Sequence, residues 1–150
     1  MEFGKEINQT KPFKSESIKA MLNVAYTASK QQEKTLVLLK PYKINDQHYN
    51  ILRILNGQNG KPVSPGVVKS VLINSRGDLT RLVDKLVKMD LIDRGHSEHD
   101  RRSVELLITN KGIDLLEEIS TEFNKSSHYD FKITEQEAKQ LNDLLDKLRG

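Results

Sequence analysis

The sequence predicts a mainly α (α+β) fold: a winged helix-turn-helix flanked by N- and C-terminal helices that form a dimerisation bundle. Three observations predict it. Apolar residues recur at helical spacing through most of the chain. Two short helical stretches within residues 64–89 are joined by a tight polar turn, Asn74-Ser75-Arg76-Gly77. Directly after them the period shortens to that of β-strands.

The first helix is expected from about Ser17 to Leu39, with Ile18, Met21, Leu22 and Ala25 on one buried face and Pro41 closing it. A second starts at Asn45, a good N-cap, carries His48, Ile51, Leu52 and Leu55 on one face, and ends at Gly57. Ser64-Pro65 starts a third, with Ser as N-cap and Pro at the first helical position. Its inner stripe is Val68, Val71 and Leu72, and it ends near Ile73. A fourth runs to about Met89 on an apolar stripe of Leu79, Leu82, Val83 and Leu86. Leu91–Arg94 and Val104–Ile108 are β-prone runs around the polar loop Gly95–Arg102, which makes a hairpin and, after a helix-turn-helix, a wing. Thr109 caps a fifth helix bearing Leu115, Leu116, Ile119 and Phe123. Thr134 and Glu137 form the capping box of a sixth, striped by Ala138, Leu141, Leu144, Leu145 and Leu148. A long first helix and a Leu-rich last one carry more apolar surface than one small domain covers, which predicts a homodimer. The N-terminal residues Met1–Lys14 read as a flexible arm.

The chain of 150 residues fits a single domain with a real core. In that domain, residues 15–40 and 110–150 are the expected dimerisation helices, and residues 45–108 the DNA-binding lobe. Charged residues make up 30% and aromatics 5%, the composition of a soluble helical protein. With no cysteine, disulfides, zinc thiolates and thiol redox sensing are excluded, which fits a cytoplasmic protein. No apolar run approaches the ~18 residues of a membrane span, and no signal peptide is evident. The net charge of +3 permits an anionic partner without requiring one.

Function is carried by one helix face and one loop. A B-form major groove admits one α-helix. The fourth helix has the required form, an apolar face to anchor it and a polar face of Arg76, Thr80, Arg81, Asp84, Lys85 and Lys88. Ser75, Arg76, Gly77, Thr80 and Arg81 are placed toward bases: Arg donates two hydrogen bonds to guanine, Thr bonds a base edge or lays its methyl on thymine, and Gly77 lets the backbone approach. Lys69, Lys85 and Lys88, with Ser64 at the start of the third helix, suit phosphates, which orient without reading sequence. Arg101 and Arg102 in the wing suit a narrow minor groove. Asp100 is assigned an internal role, pairing with Arg102 or Arg94 to shape the hairpin.

Asp78-Leu79-Thr80-Arg81-Leu82-Val83-Asp84-Lys85-Leu86, Leu91-Ile92-Asp93-Arg94, Asp100-Arg101-Arg102-Ser103 and Leu107-Ile108-Thr109-Asn110-Lys111-Gly112 resemble, in order and spacing, the MarR (multiple antibiotic resistance regulator) family. The resemblance implies a homodimeric transcription regulator, a repressor of pseudo-palindromic operators that responds to a small aromatic or phenolic effector. It implies base contacts for Thr80 and Arg81, a wing arginine at Arg102 and a structural aspartate at Asp100. Asp90 stands where the family usually has Gly, at a site needing a left-handed residue, which Asp tolerates.

No phosphate loop, dinucleotide fingerprint or nucleophile elbow is present, so no enzyme and no cofactor is expected. His96, His99, Glu98 and Asp100 have poor spacing for a closed metal site. His48 is expected to pack against its helix neighbours or to border a ligand cavity. The alternative class is a winged-helix protein-interaction module that binds no DNA, which predicts a neutral fourth helix and an unremarkable wing.

Overall fold

A computed structural model describes residues 2–73, 78–96, 102–126 and 131–150. The chain forms two compact units, residues 1–34 with 130–150 and residues 35–129, with the first boundary inside a helix.

The first unit holds α1 (Phe3–Glu6), most of α2 (Glu16–Leu39) and α7 (Glu135–Arg149). The N-terminal segment is not a simple arm. Phe3 is buried, its ring stacked on Phe13 at 5.8 Å and tilted against Tyr26 at 5.7 Å, so aromatic burial pins a helical turn onto α2. At the other end, the Thr134 backbone N–H donates to Glu137 at 2.7 Å and the Glu137 N–H donates to the Thr134 hydroxyl at 3.3 Å, the expected capping box. The stripe expected to be buried on α2 is not: Ile18, Met21 and Leu22 are 39%, 54% and 40% exposed. Leu141, Leu144 and Leu148 of α7 are exposed as well. A unit of so few helices leaves these apolar faces uncovered.

The second unit begins with the last turn of α2 and a 3₁₀ turn at Lys40–Tyr42, where Pro41 stops the α-helix. It continues with α3 (Asp46–Asn56), α4 (Pro65–Val71), α5 (Leu79–Lys88), β1 (Ile92–His96), β2 (Val104–Ile108) and α6 (Asn110–Lys125). Leu39, Ile51, Leu52, Leu86, Leu106, Ile119 and Phe123 are essentially sealed from water and form one core. Tyr49 sets its ring edge against Phe123 at 5.4 Å. On α4 only Val68 is buried; Val71 is 54% exposed, because a helix of seven residues turns only one stripe inward.

β1 and β2 are antiparallel, with Ile92 opposite Ile108 and Arg94 opposite Leu106. β1 reaches His96, so Gly95 and His96 belong to the strand and not to the expected loop. A further pairing was not foreseen. Val63 exchanges both backbone hydrogen bonds with Leu106, at 3.0 and 2.9 Å, and adds a third rung beside the ribbon.

The turn from α5 into the ribbon is tightly built. Asp90 is left-handed at φ 58°, as the family resemblance implied. The Asp90 N–H donates to Val87 at 2.9 Å and the Leu91 N–H to Leu86 at 3.0 Å, a Schellman closure. The Thr109 hydroxyl donates to the Asp90 carbonyl at 2.8 Å, and Lys111 Nζ to the Met89 carbonyl at the same distance. Gly112 fits here because a Cβ would stand 2.3 Å from the Leu91 carbonyl oxygen. The first turn of α6 is thereby clamped to the C-terminal end of α5.

Candidate nucleic-acid interface

α5 is anchored from below and displayed from above. Val83 and Leu86 are buried, and Leu79 and Leu82 pack partly against the core. Asp78 caps the helix, its carboxylate accepting the Thr80 N–H at 3.0 Å and the Arg81 N–H at 3.4 Å. The cap holds the backbone of both residues at the first turn, where their side chains are exposed. Lys85 and Lys88 continue the exposed face toward the C-terminal end, where a cation also suits the helix dipole.

The other expected contact residues are distributed around this helix. Ser64 caps α4, its Oγ accepting the Val67 N–H at 3.4 Å. The hydroxyl keeps its own proton to donate. Lys69 is exposed in the last turn of α4. Arg102 is exposed just before β2. As described, α5 begins at Leu79 behind the Asp78 cap, and Arg76 and Gly77 come earlier in the sequence. With Ser75, Asp100 and Arg101 they fall outside the described residues, as do His99 and Glu98. Of the expected contact residues, Thr80, Arg81, Lys85 and Lys88 share one exposed face of α5, and Ser64, Lys69 and Arg102 stand on other elements of the same unit.

Arg94 makes a contact that the sequence did not foresee, while Asp100 lies outside the described residues. The Arg94 guanidinium donates to the carboxylate of Asp84, so its described partner is on α5. Alternation along β1 explains this. Arg94 shares a face with buried Ile92, two residues away, and that face is turned toward α5. Asp84, read from the sequence as part of the solvated face, is half-buried and spoken for.

His48 is the second residue whose role the sequence left open. It is 5% exposed at the third position of α3. Its Nδ1 accepts the Asn45 N–H at 3.2 Å while Asn45 Oδ1 accepts the His48 N–H at 3.0 Å, a capping box closed by an imidazole. Burial first, and then the ammonium of Lys85, lower its pKa to about 4. The ring is thus neutral at physiological pH, with its proton on Nε2. It lines a cleft of about 240 Å³ with Gln47, Asp78, Arg81, Leu82 and Lys85. That cleft lies along the basic side of α5. The sequence had set His48 against its helix neighbours or at a cavity, and the Asn-x-x-His spacing is the pattern that points to its cap.

Among the described residues no cluster of His, Cys, Asp or Glu is arranged to hold a metal ion, and no helix is long and apolar enough to cross a membrane.

A sequence model described as the MarR family matches residues 42–103, the segment from the 3₁₀ turn to the start of β2. The chain is 34% identical over 91 residues to the transcriptional repressor MprA of Escherichia coli (strain K12), covering 61% of this chain and 52% of that protein. It is 29% identical over 111 residues to the HTH-type transcriptional regulator MgrA of Staphylococcus aureus, covering 74% of each. The chain spans about half the length of the MprA sequences it matches. Its fold is similar to that of a MarR mutant from E. coli crystallised with operator DNA, with a TM-score of 0.76 at 22% identity over 99% of both chains.

Proposed function

We propose that this chain, similar to the MarR family in its matched segment and its fold, is a member of that family and a sequence-specific DNA-binding transcription regulator, a repressor that acts as a homodimer on a pseudo-palindromic operator. The observation that carries the reading is α5. Its buried stripe and Asp78 cap hold Thr80, Arg81, Lys85 and Lys88 outward on one face, beside a ribbon of wing geometry. Thr80 and Arg81 read base edges; Lys85, Lys88, Lys69 and Ser64 hold phosphates; the wing arginines enter the minor groove. Ser75, Arg76 and Gly77 extend the reading surface ahead of the helix, and Asp100 shapes the wing.

Residues 45–108 are the DNA-binding lobe in this reading, and residues 15–40 and 110–150 the dimerisation helices. The exposed Ile18, Met21, Leu22, Leu141, Leu144 and Leu148 support dimerisation, because water-facing apolar stripes of this kind favour a second copy. The two reading helices then meet half-sites about 34 Å apart. The protein performs no catalysis, works in the cytoplasm and answers to a small aromatic or phenolic effector.

The test is selection of bound duplexes from a random pool, followed by anisotropy titration of the enriched duplex at two salt concentrations. The reading expects a two-fold related motif and an affinity that falls steeply with salt. A protein that enriches no motif and shows no salt-dependent binding is an interaction module instead. Dimerisation is checked separately by sedimentation, and the effector by titrating a panel of phenols into the DNA complex.

A further inference from the structure

The ribbon packs on the second unit through buried Leu91, Ile92, Leu106 and Ile108, with Val104 partly buried against the same core. At its base, Leu91 and Ile92 are buried and the Thr109 N–H donates to the Leu91 carbonyl at 3.1 Å. On the β2 side, Val63 holds Leu106 through two backbone hydrogen bonds. On the β1 side, opposite Leu106, Arg94 reaches Asp84 of α5. Outward of Arg94, β1 has only Gly95, with open space where a Cβ would be, and exposed His96. The Arg94–Asp84 pair is therefore the outermost tether that the described part of β1 makes to the reading helix.

Asp84 is also an anion in the wrong place. It lies four residues after Thr80 and four before Lys88, on the same stripe of a helix offered to a polyanion. Its side chain and that of Arg94 are 45% and 35% exposed, and ion pairs so exposed add little to folding stability. A carboxylate that adds little to the fold and opposes the ligand needs another reason to stand there. Geometry supplies one: the pair fixes the direction of the ribbon relative to α5.

We propose that Asp84 is a positioning residue, which through Arg94 sets the angle between wing and reading helix so that base and minor-groove contacts are made together. This rests on the DNA-binding reading above. The two candidate roles of Asp84 predict opposite signs. If it is only a surface anion, its removal relieves repulsion and tightens DNA binding. If it positions the wing, its removal weakens binding although the protein becomes more positive.

The experiment measures affinity for the duplex enriched by the wild-type protein. Asp84→Asn weakens binding about five- to tenfold and lowers the salt slope by about one, the signature of a lost backbone contact. Asp84→Glu, which keeps the carboxylate, recovers most of the affinity. Arg102→Ala weakens the wild type but adds less than about twofold to Asp84→Asn, because a misdirected wing has little left to lose. Thermal unfolding is unchanged, so the loss is not one of folding. Tighter binding by Asp84→Asn, or full additivity with Arg102→Ala, overturns the proposal. A second arm uses no DNA: amide exchange at residues 94–96 and 104–105 quickens in Asp84→Asn while α3 and α6 are unaffected. A wild type that enriches no duplex defeats the DNA-binding reading, whereas unaltered ribbon exchange defeats the tether itself.

Discussion

Acid should weaken this protein through His48, and the amount follows from its surroundings. The imidazole is 5% exposed, accepts a backbone proton at Nδ1 and lies near Lys85. Protonation would end the cap bond and place a cation in an apolar setting near an ammonium. The pKa is about 4 in the folded chain, against about 6.5 when unfolded. The folded value is depressed, so the unfolded state binds the proton more readily between those two values. Stability is therefore full above about pH 6.5, falls as pH drops, and levels off below about pH 4. The whole loss is about 3 kcal/mol, of which about 2 kcal/mol has gone by about pH 5. At a urea slope of about 1.5 kcal/mol/M, that moves the unfolding midpoint by about 1.3 M. Other groups titrate too, so the measurement is a comparison of urea midpoints at about pH 7.5 and pH 5 for the wild type and His48→Gln. Gln completes the same capping box and does not titrate. The variant should lose about 2 kcal/mol less than the wild type over this interval. If both lose the same, His48 is not the acid-sensitive group and its described environment does not govern its charge.

Gly112→Ala should destabilise by about 2–4 kcal/mol, since the new Cβ would stand 2.3 Å from the Leu91 carbonyl and must push α6 off the base of the ribbon; urea unfolding measures it, and a neutral outcome would mean that the clamp yields. Asp90→Gly should stabilise by about 0.5–1 kcal/mol by relieving a left-handed side chain, less whatever the Lys111 pair at 3.6 Å contributes; a clear loss of stability would show that the ion pair outweighs the strain. On the enriched duplex, Arg81→Ala should cost about 1–3 kcal/mol and relax specificity at one position, whereas Lys88→Ala should weaken all sequences alike. A changed base preference in Lys88→Ala would reverse that division of labour.

The local features of the fold were legible because they are written in adjacent residues. Asn45, Ser64, Thr109 and Thr134 cap the helices that follow them, as their side chains and spacing foretold. The left-handed residue at position 90 was implied by the family resemblance, and the structure shows why: a Schellman closure needs it there. What escaped were contacts between positions far apart in sequence. The rung between Val63 and Leu106 joins a loop to a strand more than forty residues later, and nothing in the pattern around Val63 announces a strand. The burial of Phe3 depends on Phe13 and Tyr26 both facing it, which a polar-looking segment conceals.

The candidate site divides along the same line. Periodicity alone separates the exposed Thr80, Arg81, Lys85 and Lys88 from the buried Val83 and Leu86. Periodicity also assigned Asp84 to the outer face, and by angle it does lie there. Its neighbour across the gap, however, is a strand residue whose side-chain direction follows from a register that sequence does not print. The sequence offered Asp100 two cationic partners, Arg102 and Arg94, and Asp100 lies outside the described residues; the contact that packing shows is Asp84 against Arg94. For an exposed pair worth little in isolation, no propensity or motif announces the contact. The Asp84 contact matters because it braces the ribbon against α5. An internal brace keeps the shape of the hairpin. A brace on α5 couples the two halves of the proposed DNA-reading surface, and a substitution in one half then changes what the other can contribute.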